Sequence, residues 1–139
     1  MPLTTAQDQD IRTIHVYQGV TWRGIFEWLQ PDPDDPEADP IPMDVTGYTA
    51  RFDWLTKAGG EALVTVDSPD SDDGGISIAP DTATFVVHLN AEQTALLKKD
   101  GNYELNVISE DDPTEVQRIT AGFANLVLAG EPWPYPVVT

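Results

Sequence analysis

The residue types that could do chemistry in this chain are mostly carboxylates. Asp and Glu number 24 against 7 Lys and Arg in 139 residues, giving a formal net charge of −17. Two runs concentrate them: Asp32, Asp34, Asp35, Glu37 and Asp39 in QPDPDDPEADPIPMD, and Asp67, Asp70, Asp72 and Asp73 around SPDSDDGG. Hard cations such as Ca²⁺ take oxygen ligands that carboxylates provide. The spacing of the first run matches no calcium loop, however, and its prolines restrict how the carboxylates could converge, so a solvated loop is expected there. The second run contains an Asp-Gly step and ends Gly74-Gly75, which reads as a hairpin turn. Facing carboxylates about 5 to 9 Å apart could hydrolyse glycosides. Nothing in the sequence sets two of these across a cleft.

The other chemical side chains are isolated. His15 and His88 sit inside predicted strands without the His-x-His or Glu-x-x-His spacing of a metal site. Ser68, Ser71, Ser77 and Ser109 lie in or beside turns or a short strand, and no Gly-x-Ser-x-Gly elbow occurs. With no cysteine, the chain has neither a disulfide nor a thiolate ligand or nucleophile. The reading is therefore of a protein with no catalytic, cofactor-binding or metal-ligating residues, and not an enzyme. Trp22, Trp28 and Trp54 fall in register with other apolar residues and read as core. Trp133 does not. In EPWPYPVVT, Pro132, Trp133, Pro134 and Tyr135 form an extended, polyproline-like segment and are the candidate partner-interface residues. Two readings stay open: the tail anchors a partner, or it folds back over the edge of its own sandwich.

The elements that must carry these residues are strands. QGVTWRGIFEW puts Trp22, Gly24, Phe26 and Trp28 on one face, and MDVTGYTARFDW does the same with Tyr48, Ala50, Phe52 and Trp54. Ile14 and Val16 alternate in a first strand, and Gln18-Gly19 turns the chain. Ala62, Val64 and Val66; Ile76 and Ile78; Phe85, Val87 and Leu89; and Tyr103, Leu105 and Val107 are expected to point inward, as are Ile119, Ala121 and Phe123. Asn90 followed by Gln93 forms a capping box for a helix over 91–98, with Leu96 and Leu97 closing one end. Short strands without long intervening helices predict an all-β fold: a single antiparallel immunoglobulin-like β-sandwich with one short helix before the penultimate strand. At 139 residues one domain is expected, able to bury roughly 68% of its unfolded surface. It is divided as an N-terminal arm over 1–10, the sandwich over 11–130, and the Pro-rich tail over 131–139.

The wording of these segments resembles a family of small bacteriophage virion proteins with a "QGxTF…W…G…DLTGYTARMQVR" opening. GGISIAPDTATFVVHLNAEQTALLKKDGNYELNV and EVQRITAGFANLVLA resemble that family's later strands and its "G-x-V-x-R-x-x-x-G-x-x-x-V" ending. The acidic insert from Pro31 to Asp44 and the Pro-rich tail depart from the pattern. The resemblance implies a non-enzymatic structural protein that binds other phage structural proteins, as a minor tail, baseplate or fibre-attachment component. A capsid decoration protein is the alternative, and a carbohydrate- or receptor-binding module a more distant one. A symmetric multi-copy assembly and location in the virion, after synthesis in the host cytoplasm, follow as expectations. The acidic charge argues against nucleic acid, whose phosphates attract Lys and Arg. No apolar run approaches the ~20 residues needed to span a bilayer, so no membrane partner is expected.

Overall fold

Burial with period two runs through most strands of the computed structural model, which describes residues 13–128. The strands are β1 (Ile14–Tyr17), β2 (Trp22–Glu27), β3 (Leu29–Gln30), β4 (Ile41–Pro42), β5 (Tyr48–Leu55), β6 (Ala62–Asp67), β7 (Gly75–Ala79), β8 (Thr84–Leu89), β9 (Gly101–Ser109) and β10 (Val116–Val127), with helix α1 (Ala91–Ala95) between β8 and β9. They form a five-stranded sheet ordered β1-β10-β9-β5-β6, a three-stranded sheet ordered β2-β8-β7, and a ribbon of β3 and β4. All pairs are antiparallel except β1 with β10, which run parallel from Ile14↔Ala124 to Tyr17↔Val127. The first strand thus joins the larger sheet and the second the smaller, and the Gln18-Gly19 turn, with Gly19 at φ +80°, carries the chain between them.

Aromatic rings fill the space between the sheets. Trp22 on β2 packs on Phe52 of β5 at 5.8 Å between centroids, Phe52 stacks on Tyr103 of β9 at 5.9 Å, and Tyr103 meets Phe26 of β2 at 6.0 Å. Trp28 meets Tyr48 edge-on at 5.7 Å. Gly24 makes room for this arrangement: a Cβ there would collide with the Trp22 ring, which lies over it. Phe26, Phe52, Trp54 and Tyr103 are all fully or almost fully buried, as their alternation predicts. The indole N–H of Trp54 has no hydrogen-bond partner among the described residues.

The far end of the sandwich is closed by α1. Asn90 accepts from the Gln93 amide at 2.8 Å and the Gln93 side chain accepts from the Asn90 amide at 2.8 Å, the predicted capping box. The helix is shorter than predicted, and only Leu97 plugs the core; Leu96 is 63% exposed. Thr94, fully buried, donates to the Val20 carbonyl at 3.0 Å, and the Gln18 amide donates to the Leu97 carbonyl at 2.7 Å. These bonds tie the helix to the β1–β2 turn.

Four further expectations are corrected. SPDSDDGG is not a hairpin: it crosses from β6 in the larger sheet to β7 in the smaller. The acidic insert is not all loop, because β3 and β4 zip its base and Met43 packs against the core. Ala62 is exposed, since the β5–β6 register slips between Trp54 and Leu55. Ala121 and Phe123 face outward because a bulge between Arg118 and Thr120 adds a residue to β10. One extra residue reverses which side chains face the core. Ile119 and Thr120 are both buried, and beyond them Gly122 and Ala124, not Phe123, lie opposite Tyr103 and Gly101.

Truncating Phe26 or Phe52 to alanine should cost ~3 to 5 kcal/mol, the usual range for a buried ring. Urea midpoints for Phe26→Ala and Phe52→Ala check this, and midpoints within error of wild type would refute the inter-sheet stack. Shortening Pro31–Asp39 to a small turn, with Ile41 to Val45 kept, should leave the midpoint nearly unchanged, since residues 31–40 contribute no buried side chain. Removing Val45 as well should lower it.

Candidate protein-binding face

The outer surface of the five-stranded sheet is built by the side chains that alternation turns away from the core. On β9 these are Asn102, Glu104 and Asn106; on β10, the bulge makes them Val116, Arg118, Ala121 and Phe123, opposite Ile108, Asn106, Glu104 and Asn102 respectively. Bulky residues at both ends and Ala121-Gly122 between them leave an open groove of about 690 Å³. Phe123 is 67% exposed and Val116 53% exposed. A smaller depression of about 140 Å³ extends it toward Leu55, Ala58 and Gly59.

Polar contacts hold the groove in shape and keep it nearly neutral. Arg118 pairs with Glu104 at 3.5 Å, Asn106 donates to Glu104 at 3.3 Å, and Asn102 donates to the Gly122 carbonyl at 3.3 Å. Farther across the same face, Arg51 pairs with Asp67 at 2.8 Å. Exposed pairs of this kind add little stability. Their effect here is to cancel charge.

A large share of the carboxylates gathers at one end of the sandwich, apart from the 67–73 run, whose Asp72 lies beside the start of α1. The insert supplies Asp32, Asp34, Asp35, Glu37, Asp39 and Asp44, and the β9–β10 turn supplies Glu110, Asp111, Asp112 and Glu115; neither segment contains Lys or Arg. The two segments are joined, because the Glu110 amide donates to the Gly47 carbonyl at 2.8 Å and the Tyr48 hydroxyl donates to Glu115 at 2.9 Å. The latter bond raises the Tyr48 pKa. Asp44 accepts from the Thr46 amide and Asp112 from the Thr114 hydroxyl and amide, and these bonds lower both carboxyl pKa values. Among the described residues no three His, Asp or Glu side chains come together as a metal-binding group.

The histidines have separate surroundings. His88 is buried, although its neighbours Val86 and Thr84 on the same face are only half-buried, because the β6–β7 crossover folds over it. Its Nδ1 and Asp70 Oδ1 lie 2.8 Å apart, and an ionised carboxylate can only accept, so the ring donates. This bond is the main reason that the Asp70 carboxyl is held below the usual range, with burial opposing it. His15 lies beside Asn125 on the outer face of the larger sheet, 3.5 Å away. The sequence-predicted interface residues Pro132, Trp133, Pro134 and Tyr135 fall outside the described residues, as does the arm over 1–10. Phe123 and Val116 escaped the sequence reading; the signal that could have found them is Gly122, a residue small enough to lie opposite the bulky, inward Tyr103.

No protein-family model and no curated protein matches the chain. Solved structures do. The natural cytotoxicity receptor NKp44 of NK cells superposes with a TM-score of 0.50 at 16% identity, covering 87% of this chain and all of that one. The fold is immunoglobulin-like. A chain from the complex of Dpr2 Ig1-Ig2 with DIP-Theta Ig1-Ig3 matches at 12% identity over 88% of this chain and 46% of that one, with a TM-score of 0.45. The RIG-5 IG1 homodimer matches at 11% identity over 88% and 94%, with a TM-score of 0.41. Immunoglobulin domains often join their sheets by a disulfide packed against a buried tryptophan. This immunoglobulin-like sandwich has no cysteine, and Phe26 and Tyr103 occupy the inter-sheet space beside the buried Trp54, which pairs with Tyr103 across β5 and β9.

The lowered Asp70 pKa carries a sign. A carboxyl whose folded pKa is depressed stabilises the fold above its unfolded value, about pH 4, and that contribution is lost as pH falls through the folded value. The urea midpoint should therefore drop on acidification below about pH 4, and Asp70→Asn should remove part of the drop while Asp44 and Asp112 supply the remainder. An acid slope identical in wild type and Asp70→Asn would show that the His88 bond contributes nothing.

Proposed function

We propose that this chain is a non-enzymatic binding domain of a bacteriophage particle, joining other particle proteins as a minor tail, baseplate or fibre-attachment component. The observation that carries the binding reading is Phe123: a ring 67% exposed beside a groove, on a strand whose bulge turns it away from the core. Covering such a ring gains roughly 25 cal/mol per Å² of apolar surface, and aromatic residues are frequent interface anchors. The particle setting is supported by the sequence resemblance, whose segments run through β2, β5, β7 to β9 and β10, the strands that build the sandwich and its groove. Trp133 and Tyr135 are proposed as a second contact, on the strength of their proline-stiffened segment.

Quantitative mass spectrometry of purified virions tests this. A few to a dozen copies per particle are expected for a tail component, whereas hundreds would move the chain to the capsid exterior, the second reading. Phe123→Ser should melt like wild type, as most surface changes do, and be incorporated poorly. Absence from virions overturns the particle setting, and normal incorporation of Phe123→Ser removes the groove from the interface. Normal incorporation of Trp133→Ala does the same for the tail.

A further inference from the structure

The groove on the five-stranded sheet ends at the acidic turn. Val116, its last lining residue, follows directly on Glu115, so an extended chain lying along β10 past Phe123 and Val116 would run out over Glu110, Asp111 and Glu115. The groove itself is close to neutral, since Glu104 is matched by Arg118. The surface therefore has two parts with different chemistry: an apolar, uncharged trough, and beyond one end of it a group of carboxylates with no cation in either contributing segment.

We infer that the groove takes a segment of another protein that is apolar or aromatic where it meets Phe123 and Val116, and rich in Lys or Arg where it passes the β9–β10 turn. This rests on the groove being a binding face. Charge selects this occupant over the three others within reach. Residues 1–12 of the chain lead into β1, whose Ile14 lies beside Ala124, one residue past Phe123, and they carry Asp8 and Asp10 against Arg12. Residues 129–139 of the chain itself contain Glu131 and no Lys or Arg, and they follow β10, whose last residue Val127 lies at the end of the sheet opposite the acidic turn. A second copy turned end for end would bring up the opposite end of the sandwich, where Lys57, Lys98 and Lys99 are offset by Glu61, Glu92 and Asp100. None of the three supplies net positive charge. A basic segment does, and rim charges of this kind set association rate and partner choice, with a reach of about 8 Å at physiological salt.

The full-length chain, labelled for amide NMR, tests the inference with two synthetic peptides that share a Leu-Trp-Leu core: one continues into a lysine tract, the other into a glutamate tract. The lysine peptide should shift the resonances of Val116 to Phe123 and of the 110–115 turn, and bind more weakly as salt rises. The side chains of Glu110 and Asp111 make no contact that the turn needs, so a Glu110→Lys/Asp111→Lys double variant should melt like wild type. It should raise the lysine peptide's Kd by about tenfold, the scale of a few exposed charge pairs. Phe123→Ser should weaken the same peptide. Equal binding of the glutamate peptide, or shifts confined to the 31–44 insert, would overturn the inference. So would groove resonances that move when 1–12 or 131–139 is deleted without peptide, which would make that segment the occupant, or dimerisation abolished by Phe123→Ser, which would make it a second copy. Because the assay uses the isolated chain, it fails separately from the virion experiment: peptide binding without incorporation keeps the surface and loses the particle setting, and incorporation without peptide binding does the reverse.

Discussion

Four rings, Trp22, Phe52, Tyr103 and Phe26, form a continuous contact from one sheet to the other and back. Packed sheets stand about 10 Å apart, and something must fill that gap at interior density. Here it is filled without a covalent link, and each ring contact adds ~0.5 to 1.5 kcal/mol to what burial alone supplies. The stack also fixes which residue of each strand can face inward. Gly24 must be a glycine because Trp22 lies over it, and Gly122 can lie opposite Tyr103 because it is small.

The bulge in β10 follows from the same requirement. Ile119 and Thr120 are both buried, so the strand needs an extra residue to bring Gly122 and Ala124 back over the core. The compensating effect is on the other side, where Phe123 and Ala121 are turned to solvent and the groove opens. A constraint set inside the sandwich thus shapes its outer face. The distribution of charge follows a similar division: strands on this face set Arg51 against Asp67 and Arg118 against Glu104, while most of the excess negative charge lies in the connections.

Much of the interior was legible in the sequence because alternation is local. Phe26 and Tyr103 each sit in a run whose period is unbroken, Phe52 and Phe85 in runs where it breaks only at the last residues, and the capping box of α1 is written in two residues, Asn90 and Gln93. The outer face was not legible in the same way. Ile119, Ala121 and Phe123 alternate as an inward set would, and a one-residue bulge changes the phase without changing composition. Asp72-Asp73-Gly74-Gly75 likewise has hairpin chemistry although its flanking strands belong to different sheets, since turn residues report local backbone conformation and not which strand pairs with which. The ribbon at the base of the insert did leave a trace, as Ile41, Met43 and Val45 alternate among the prolines.

The parallel pairing of β1 with β10 has a mechanical consequence. Both strands point the same way, so the chain enters the pair at Ile14 and leaves it at Val127, the opposite end of the shared ladder. Tension applied to the two flanking segments would pull these strands past each other along their length. The inter-strand hydrogen bonds would then be loaded together, in shear, and not opened one after another as in the unzipping of a hairpin. A sandwich strung between two attachments by these segments would resist stretching at its first and last strands, before any force reached the ring stack within.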